Sequence, residues 1–257
     1  MITTVQNKQI RQAAKLKKSS RERKKSGLFV VEGIRMFREI PEEQREKVFA
    51  SSEFLKAHGE ELKGIPFEEI SSQVFREISD TETPQGILSL VRMKQVSLDE
   101  ILKRRGNSIL LLENLQDPGN LGTLIRTGEG AGVSGVIMSK DTVDIYNPKV
   151  IRSTMGSIFR VPFTYVEDIA EAVQLLRQQS VHVYAAHLDG TEYTDESYDK
   201  ISAFLIGNEG NGLTERIAAM ADKRIRIPME GRVESLNAAM AGGLLMYEAR
   251  RQRKGGS

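Results

Sequence analysis

The chain contains no cysteine. Disulfides, thiolate zinc sites and cysteine nucleophiles are therefore excluded, and with them RNA-base methylation through a cysteine adduct. A cysteine-free chain fits a reducing compartment. Long apolar runs are missing too. No stretch approaches the length that spans a bilayer, and the N-terminus lacks the apolar core of a signal peptide. A cytoplasmic protein is the expectation, with no membrane contact. Histidine is scarce. His58, His182 and His187 all lie outside the unusual loops described below, so the commonest general base is not expected there. No metal-ligand set stands out, and no metal is expected.

What is present is an ordinary globular composition. Hydrophobic residues make up 39% and charged residues 28% of 257, enough to build a core and comfortable for two domains. The net charge of +2 hides an asymmetry. Residues 1–25 hold nine Lys or Arg against one acid, Glu22, an excess of eight that leaves −6 for the remainder. A basic arm on a mildly acidic body points to a polyanion, although such tails are often only solvated. Arg21, Arg23, Lys24 and Lys25 are its candidate contacts.

Residues 5–25 lack Gly and Pro and predict one basic helix. Strands at Leu28–Val31, Lys47–Ala50 and Ile87–Met93, a short apolar stretch at Ile65–Phe67, and helices at Ile34–Ile40, Ser52–His58 and Val74–Ile78 predict a small α/β sandwich over 26–95. Residues 96–106 read as a linker. From 107 to 257 strands and helices alternate again, starting from the continuous apolar run Ser108–Leu112. That pattern, with strands at Val181–Ala186 and Ala203–Ile206 and a helix at Leu213–Ala221 among its elements, predicts an α/β domain with a mostly parallel sheet. Its last helix is expected from Ser235, with Leu236, Met240, Gly243, Leu244 and Tyr247 on one stripe.

Three loops at strand ends carry the unusual residues, where open α/β sheets bind ligands. In the first, Asp117-Pro118-Gly119-Asn120 leads into a helix that carries Arg126; Asn120 is placed to cap it. The second is Gly207-Asn208-Glu209-Gly210-Asn211-Gly212-Leu213. Leu213 stands where a phosphate loop requires Lys, and the glycine spacing reverses that of a dinucleotide fingerprint. Glu209 would repel an anion and suits a cationic or hydroxyl-bearing ligand. The third runs Ile227-Pro228-Met229 to Ser235-Leu236-Asn237, where Ser235 can cap a helix and Asn237 can be a first-turn residue.

Together these loops resemble the three signature motifs of the SpoU-type RNA ribose 2′-O-methyltransferases of the SPOUT superfamily. The match comprises Asn120, Gly122 and Arg126; Gly207 to Leu213; and Ile227-Pro228-Met229 with Ser235-Leu236-Asn237. Ala239 departs from it, where many relatives carry a small hydroxyl residue. Residues 26–93 resemble the family's substrate-binding domain through Phe29-Val30-Val31-Glu32-Gly33 and Thr83-Pro84-Gln85-Gly86.

The resemblance implies a trefoil-knotted α/β domain and a homodimer through the C-terminal domain. It implies S-adenosylmethionine as cofactor and a ribose 2′-hydroxyl of structured RNA as acceptor, with 23S ribosomal RNA favoured. Transfer RNA, or a non-enzymatic ribosome-assembly role on the same fold, are the alternatives. It makes Arg126 the central catalytic residue, with Asn120, Glu209, Ser235 and Asn237 orienting it. Gly207, Asn208, Gly212, Ile227, Met229 and Leu236 become candidates for holding the cofactor, although Ile227 and Leu236 read equally well as core. Arg35 and Arg152 join the arm as candidate RNA contacts, and Arg152 can equally be an ordinary surface arginine.

Overall fold

The computed structural model describes every residue except Arg105, Asn107, Gly256 and Ser257. Part of the expected linker and both ends of the expected 107–257 domain thus lie outside the described residues. In chain order the elements are α1 (Lys8–Lys18), α2 (Ser20–Ser26), β1 (Leu28–Glu32), α3 (Ile34–Glu39), β2 (Arg45–Ser51), α4 (Ser52–His58), β3 (Glu68–Ile70), α5 (Ser72–Ile78), β4 (Ile87–Arg92), α6 (Leu98–Leu102), β5 (Ser108–Leu112), α7 (Pro118–Ala131), β6 (Val133–Ser139), α8 (Pro148–Thr154), β7 (Phe163–Val166), α9 (Ile169–Gln178), β8 (His182–Glu192), β9 (Ser202–Ile206), α10 (Glu215–Ala218), β10 (Lys223–Arg226) and α11 (Ala238–Gly255). They form two compact units, Met1–Lys94 with Tyr146–Phe159, and Gln95–Ile145 with Arg160–Ser257.

In the first unit the sheet runs β1-β4-β2-β3, with β4 antiparallel to β1 and β2, and β3 parallel to β2. Its β3 strand, Glu68–Ile70, follows the short apolar stretch Ile65–Phe67, which is not itself a strand. Pro66 cannot donate to a ladder, and Phe67 stays exposed while Ile70 is fully buried. The expected single N-terminal helix is two. Ser19 is extended, at φ −127°, and its hydroxyl accepts from the Glu22 N–H at 3.3 Å, capping α2.

The basic arm is not a loose tail. Ile10, Ala13 and Leu16 of α1 pack with Val30, Phe49, Ile70 and Phe75 in the core. Lys17 is buried and pairs with Glu32 and Asp80, each at 3.1 Å. Burial raises the Glu32 pKa, but hydrogen bonds from Ser79 and Thr81 and the Lys17 ammonium outweigh it and hold the carboxyl below its ordinary value. Tyr146–Phe159, expected in the second domain, packs here instead. The Tyr146 ring lies 4.6 Å from that of Phe29, its hydroxyl donates to the Lys94 carbonyl at 2.9 Å, and Val150, Ile151 and Ile158 are buried.

The second unit is built on six parallel strands in the order β10-β8-β9-β5-β6-β7. Every residue of β5 and β9 is buried, as the continuous apolar runs predict for a sheet covered on both faces. The amphipathic α9 packs Val173 and Leu176 against Ile109, Leu111 and Leu205. Because β9 lies between β8 and β5, the loops following β5, β9 and β10 gather at one end of the sheet.

Candidate active site

Three helix starts depart from the sequence reading, and each departure frees or commits a side chain of the site. Asp117, not Asn120, caps α7: its Oδ1 accepts from the Asn120 N–H at 2.7 Å, with Pro118 at the first helical position. The Asn120 amide is therefore available for other partners. Ser235 does not start the last helix. Asn237 caps α11, its Oδ1 accepting from the N–H groups of Ala239 (2.9 Å) and Met240 (3.3 Å). The helix expected over Leu213–Ala221 shortens to Glu215–Ala218, and the Thr214 N–H and hydroxyl donate to the buried Glu113 carboxylate at 2.8 and 2.7 Å.

These caps allow one chain of hydrogen bonds to join the three loops. The Asn237 Nδ2 donates to the Asn120 Oδ1 at 2.8 Å, and the Asn120 Nδ2 donates to the Glu209 Oε1 at 3.0 Å. Glu209 also accepts the N–H groups of Gln116 (3.0 Å) and Asp117 (2.9 Å). Two backbone N–H groups and the Asn120 amide thus hold the carboxylate, and among the described residues it makes no bond to Arg126. Partial burial raises its pKa, but these donors outweigh it and keep the carboxyl below its ordinary value.

The glycine loop closes on itself. Asn208 N–H donates to Gly212 O at 3.0 Å and Gly212 N–H to Asn208 O at 2.9 Å. A Cβ on Gly207 would collide with the backbone of Gly212 and Leu213, so only glycine permits this closure. The Asn208 side chain accepts from Gly210 and Asn211 at 2.9 and 3.1 Å and donates to the Asn114 carbonyl at 2.9 Å. Asn208 therefore shapes the loop while also lining the cleft beneath it.

Beneath these loops lies a cleft of about 400 Å³. Gly207, Asn208, Gly212, Ile227, Met229 and Leu236 all line it, together with Glu209 and Ser235. Its apolar walls come from Ile206, Ile227, Met229, Leu236 and Leu245. From Pro228 to Leu236 the backbone makes no hydrogen bond among the described residues, leaving its N–H and C=O groups for a ligand. Apolar walls beside open backbone groups fit an adenine base flanked by side chains and read by main-chain atoms. Among the described residues no cluster of His, Cys, Asp or Glu could hold a metal ion.

Arg126 is exposed on α7, and among the described residues its guanidinium has no hydrogen bond or ion pair. Ser235 is exposed and likewise unpartnered. The chain of hydrogen bonds thus joins three of the expected catalytic side chains and leaves these two outside it. Of the candidate RNA contacts, Arg21, Lys24, Lys25 and Arg35 are exposed and Arg152 is half-buried. Arg23 is not at the surface. It is 3% exposed, and its guanidinium donates to the carbonyls of Leu16 (2.7 Å) and Lys17 (3.2 Å) at the end of α1.

The family model described as the SpoU rRNA methylase family matches residues 107–247. The chain belongs to that family. The MRM3-like substrate binding domain matches residues 7–89 and so takes in α1 and α2. A 23S rRNA (guanosine(2553)-2′-O)-methyltransferase of Bacillus subtilis, RlmP, is 31% identical over 97% of this chain and 98% of its own length. Among solved structures, the SpoU methyltransferase AviRb from Streptomyces viridochromogenes with the cofactor AdoMet matches at a TM-score of 0.86 and 27% identity, over 97% of this chain and 99% of that one. An AdoMet-bound rRNA methyltransferase from Sinorhizobium meliloti matches at 0.84 and 29% identity, over 97% of each chain.

Several residues of this SpoU site were not singled out from the sequence. Asn114 sits at φ +55°, with its side chain accepting from the Ser139 hydroxyl at 2.9 Å and its carbonyl holding Asn208. An Asn just after a buried strand is a signal for such a turn. His187 and Asp189 line the cleft from β8, which runs to Glu192 rather than stopping near Ala186. No motif marks them.

Proposed function

We propose that this protein transfers a methyl group from S-adenosylmethionine to a ribose 2′-hydroxyl of ribosomal RNA, in the cytoplasm. The observation that carries the reading is the Glu209–Asn120–Asn237 chain, which ties all three family loops together over a cleft suited to an adenine-bearing ligand. Bound there, the cofactor would supply an electrophilic methyl on a sulfonium. Ile227, Met229 and Leu236 would flank its base, while Gly207 and the open backbone of 228–236 would meet its polar edges.

The acceptor hydroxyl is a weak nucleophile, so placement supplies much of the rate. Arg126 offers the planar donor fork of a guanidinium. Its role is to hold the ribose or an adjacent phosphate and to stabilise the negative charge that develops on oxygen as the proton leaves. Asn120 and Asn237, fixed by Glu209, set the loop geometry around it, and the free Ser235 hydroxyl orients the acceptor. A non-enzymatic RNA-binding role would need neither the cleft nor this chain.

The protein acts as a homodimer through the second unit. Met240, Leu244 and Tyr247 are 59%, 37% and 45% exposed and lie on one face of α11, an apolar stripe that a second copy would cover. The family's trefoil knot is consistent with the loops after β9 and β10 lining one cleft.

The test is transfer of labelled methyl from S-adenosylmethionine to unmodified ribosomal and transfer RNA, followed by nucleoside analysis. A 2′-O-methylnucleoside in ribosomal RNA is expected. Arg126→Ala should lower turnover by roughly 10²–10³-fold while cofactor affinity, read by calorimetry, is kept. Unchanged turnover would remove Arg126 from the mechanism.

A further inference from the structure

We infer that the outward face of α1, continued on α2, is a phosphate track that grips the backbone of structured RNA. The inference rests on the RNA reading above and assigns it a surface. α1 has two faces. Ile10, Ala13 and Leu16 are sunk in the core, while Arg11, Lys15 and Lys18, four and three residues apart, share the exposed side. After the break at Ser19, Arg21 and Lys25 are exposed on α2. A groove of about 430 Å³ lined by Arg11, Lys15, Lys18, Ser19 and Glu22 runs along this face.

Among the described residues, none of these exposed cations has a side-chain ion pair or hydrogen bond. Some surface cations of the same unit meet carboxylates, as Arg38 does Glu61 and Lys47 does Glu68 at 3.6 Å. Others, such as Lys56, Lys63 and Arg76, stand unpaired but scattered over separate segments. What sets α1 apart is three unpaired cations in a row on one helix face. Like charges at helical spacing repel each other. A polyanion relieves that repulsion and releases counterions as it binds.

The track is also rigid. The Lys17 ion pairs and the inward guanidinium of Arg23 fasten α1 and its junction with α2 from beneath. From Arg11 to Lys18 the helix advances about 10 Å, the axial length of roughly three phosphates of one strand. A membrane surface is disfavoured, because interfacial helices insert an apolar face and the apolar face of α1 is already buried.

The experiment compares the full-length protein with Arg11→Gln/Lys15→Gln/Lys18→Gln and with a charge-matched control, Lys56→Gln/Lys63→Gln/Arg76→Gln, drawn from exposed positions of the same unit. The probe is in vitro transcribed 23S ribosomal RNA, titrated across a salt series, with phosphatidylglycerol vesicles in parallel. Thermal unfolding verifies that each variant is folded. The α1 variant should bind RNA at least tenfold more weakly, with a log–log salt slope shallower by about 2–3, while the control stays within about twofold of wild type. At saturating RNA its methylation rate should match wild type, with KM raised.

Equal losses in both variants would mean a diffuse charge effect and overturn the track, as would an unchanged slope or binding to the vesicles in place of RNA. If wild-type protein shows no methyl transfer but its RNA binding still depends on Arg11, Lys15 and Lys18, the methyltransferase reading falls and the track stands.

Discussion

α1 and α11 are both two-faced helices, yet they hide and show opposite things. α1 buries large apolar side chains and exposes unpaired cations. α11 buries Ala239, Gly242 and Ala249 alongside Leu245 and Met246, and exposes Met240, Leu244 and Tyr247. The small residues let α11 approach α7 closely. A Cβ on Gly242 would lie 2.5 Å from Leu124 Cδ2, and one on Gly130 would lie 2.9 Å from the Tyr247 hydroxyl oxygen. The sequence placed Met240, Leu244 and Tyr247 on one stripe correctly, but that stripe is the outer face. The lesson is that amphipathicity names two faces without saying which is the core. Glycine and alanine mark the close packing against α7, Leu245 and Met246 fill the core beside them, and Met240, Leu244 and Tyr247 are the bulky residues that stay exposed.

The largest effect that would break this comparison is expected at the outer face of α11. Leu244→Asp with Tyr247→Asp puts two carboxylates on the stripe. Each buried anchor of this kind is worth about 2 kcal/mol or more of association. Sedimentation should show the double variant as a monomer at concentrations where wild type is a dimer, and methyl transfer should fall with it. A variant that sediments as wild type does would mean that the stripe meets no second copy.

Much of this was legible in the sequence because the second unit obeys local rules. Ser108–Leu112 reads as a buried parallel strand and Ala203–Ile206 as a strand running into the glycine loop, and both are so. The three loops were found because Gly, Asn and Pro punctuate strand ends. What was not legible depended on competition between neighbours. Asp117 and Asn120 are both good caps, as are Ser235 and Asn237, and propensity alone cannot rank them. Tertiary partners do: Asn120 is held by Glu209 and Asn237, so Asp117 takes the cap. Arg23 looked like its basic neighbours, and only the helix break at Ser19 turns it inward. The departure of Tyr146–Phe159 to the first unit is a long-range packing fact that no local pattern carries.

A middle-sized effect separates the two duties of Asn237. Its Oδ1 caps α11 and its Nδ2 reaches Asn120. Asn237→Ala removes both and should cost about 1 kcal/mol in chemical denaturation, with methyl transfer lost alongside. Asn237→Asp keeps the cap, and the added negative charge favours a helix N-terminus. It also sets a carboxylate against the Asn120 Oδ1, so the link breaks. Stability within about 0.5 kcal/mol of wild type with strongly reduced transfer is the expected pair of results. Equal activity in wild type and Asn237→Asp would show that the cap is all that matters.

The smallest effect concerns Glu209 and its titration. Its carboxyl is held below its ordinary value of 4.5, where an unfolded chain would titrate. Depression in the folded state means that the charged form is the one stabilised. That contribution is complete above pH 4.5 and fades as pH falls through the lower, folded value. The site is partly open to solvent, so the magnitude should be about 1 kcal/mol or less. Glu209→Gln keeps the shape and removes the charge. Thermal midpoints of the two proteins should differ by a constant amount from pH 8 down to about 5, and the gap should close only below that. A gap that closed between about pH 6 and 7 would assign the titration to a group other than Glu209.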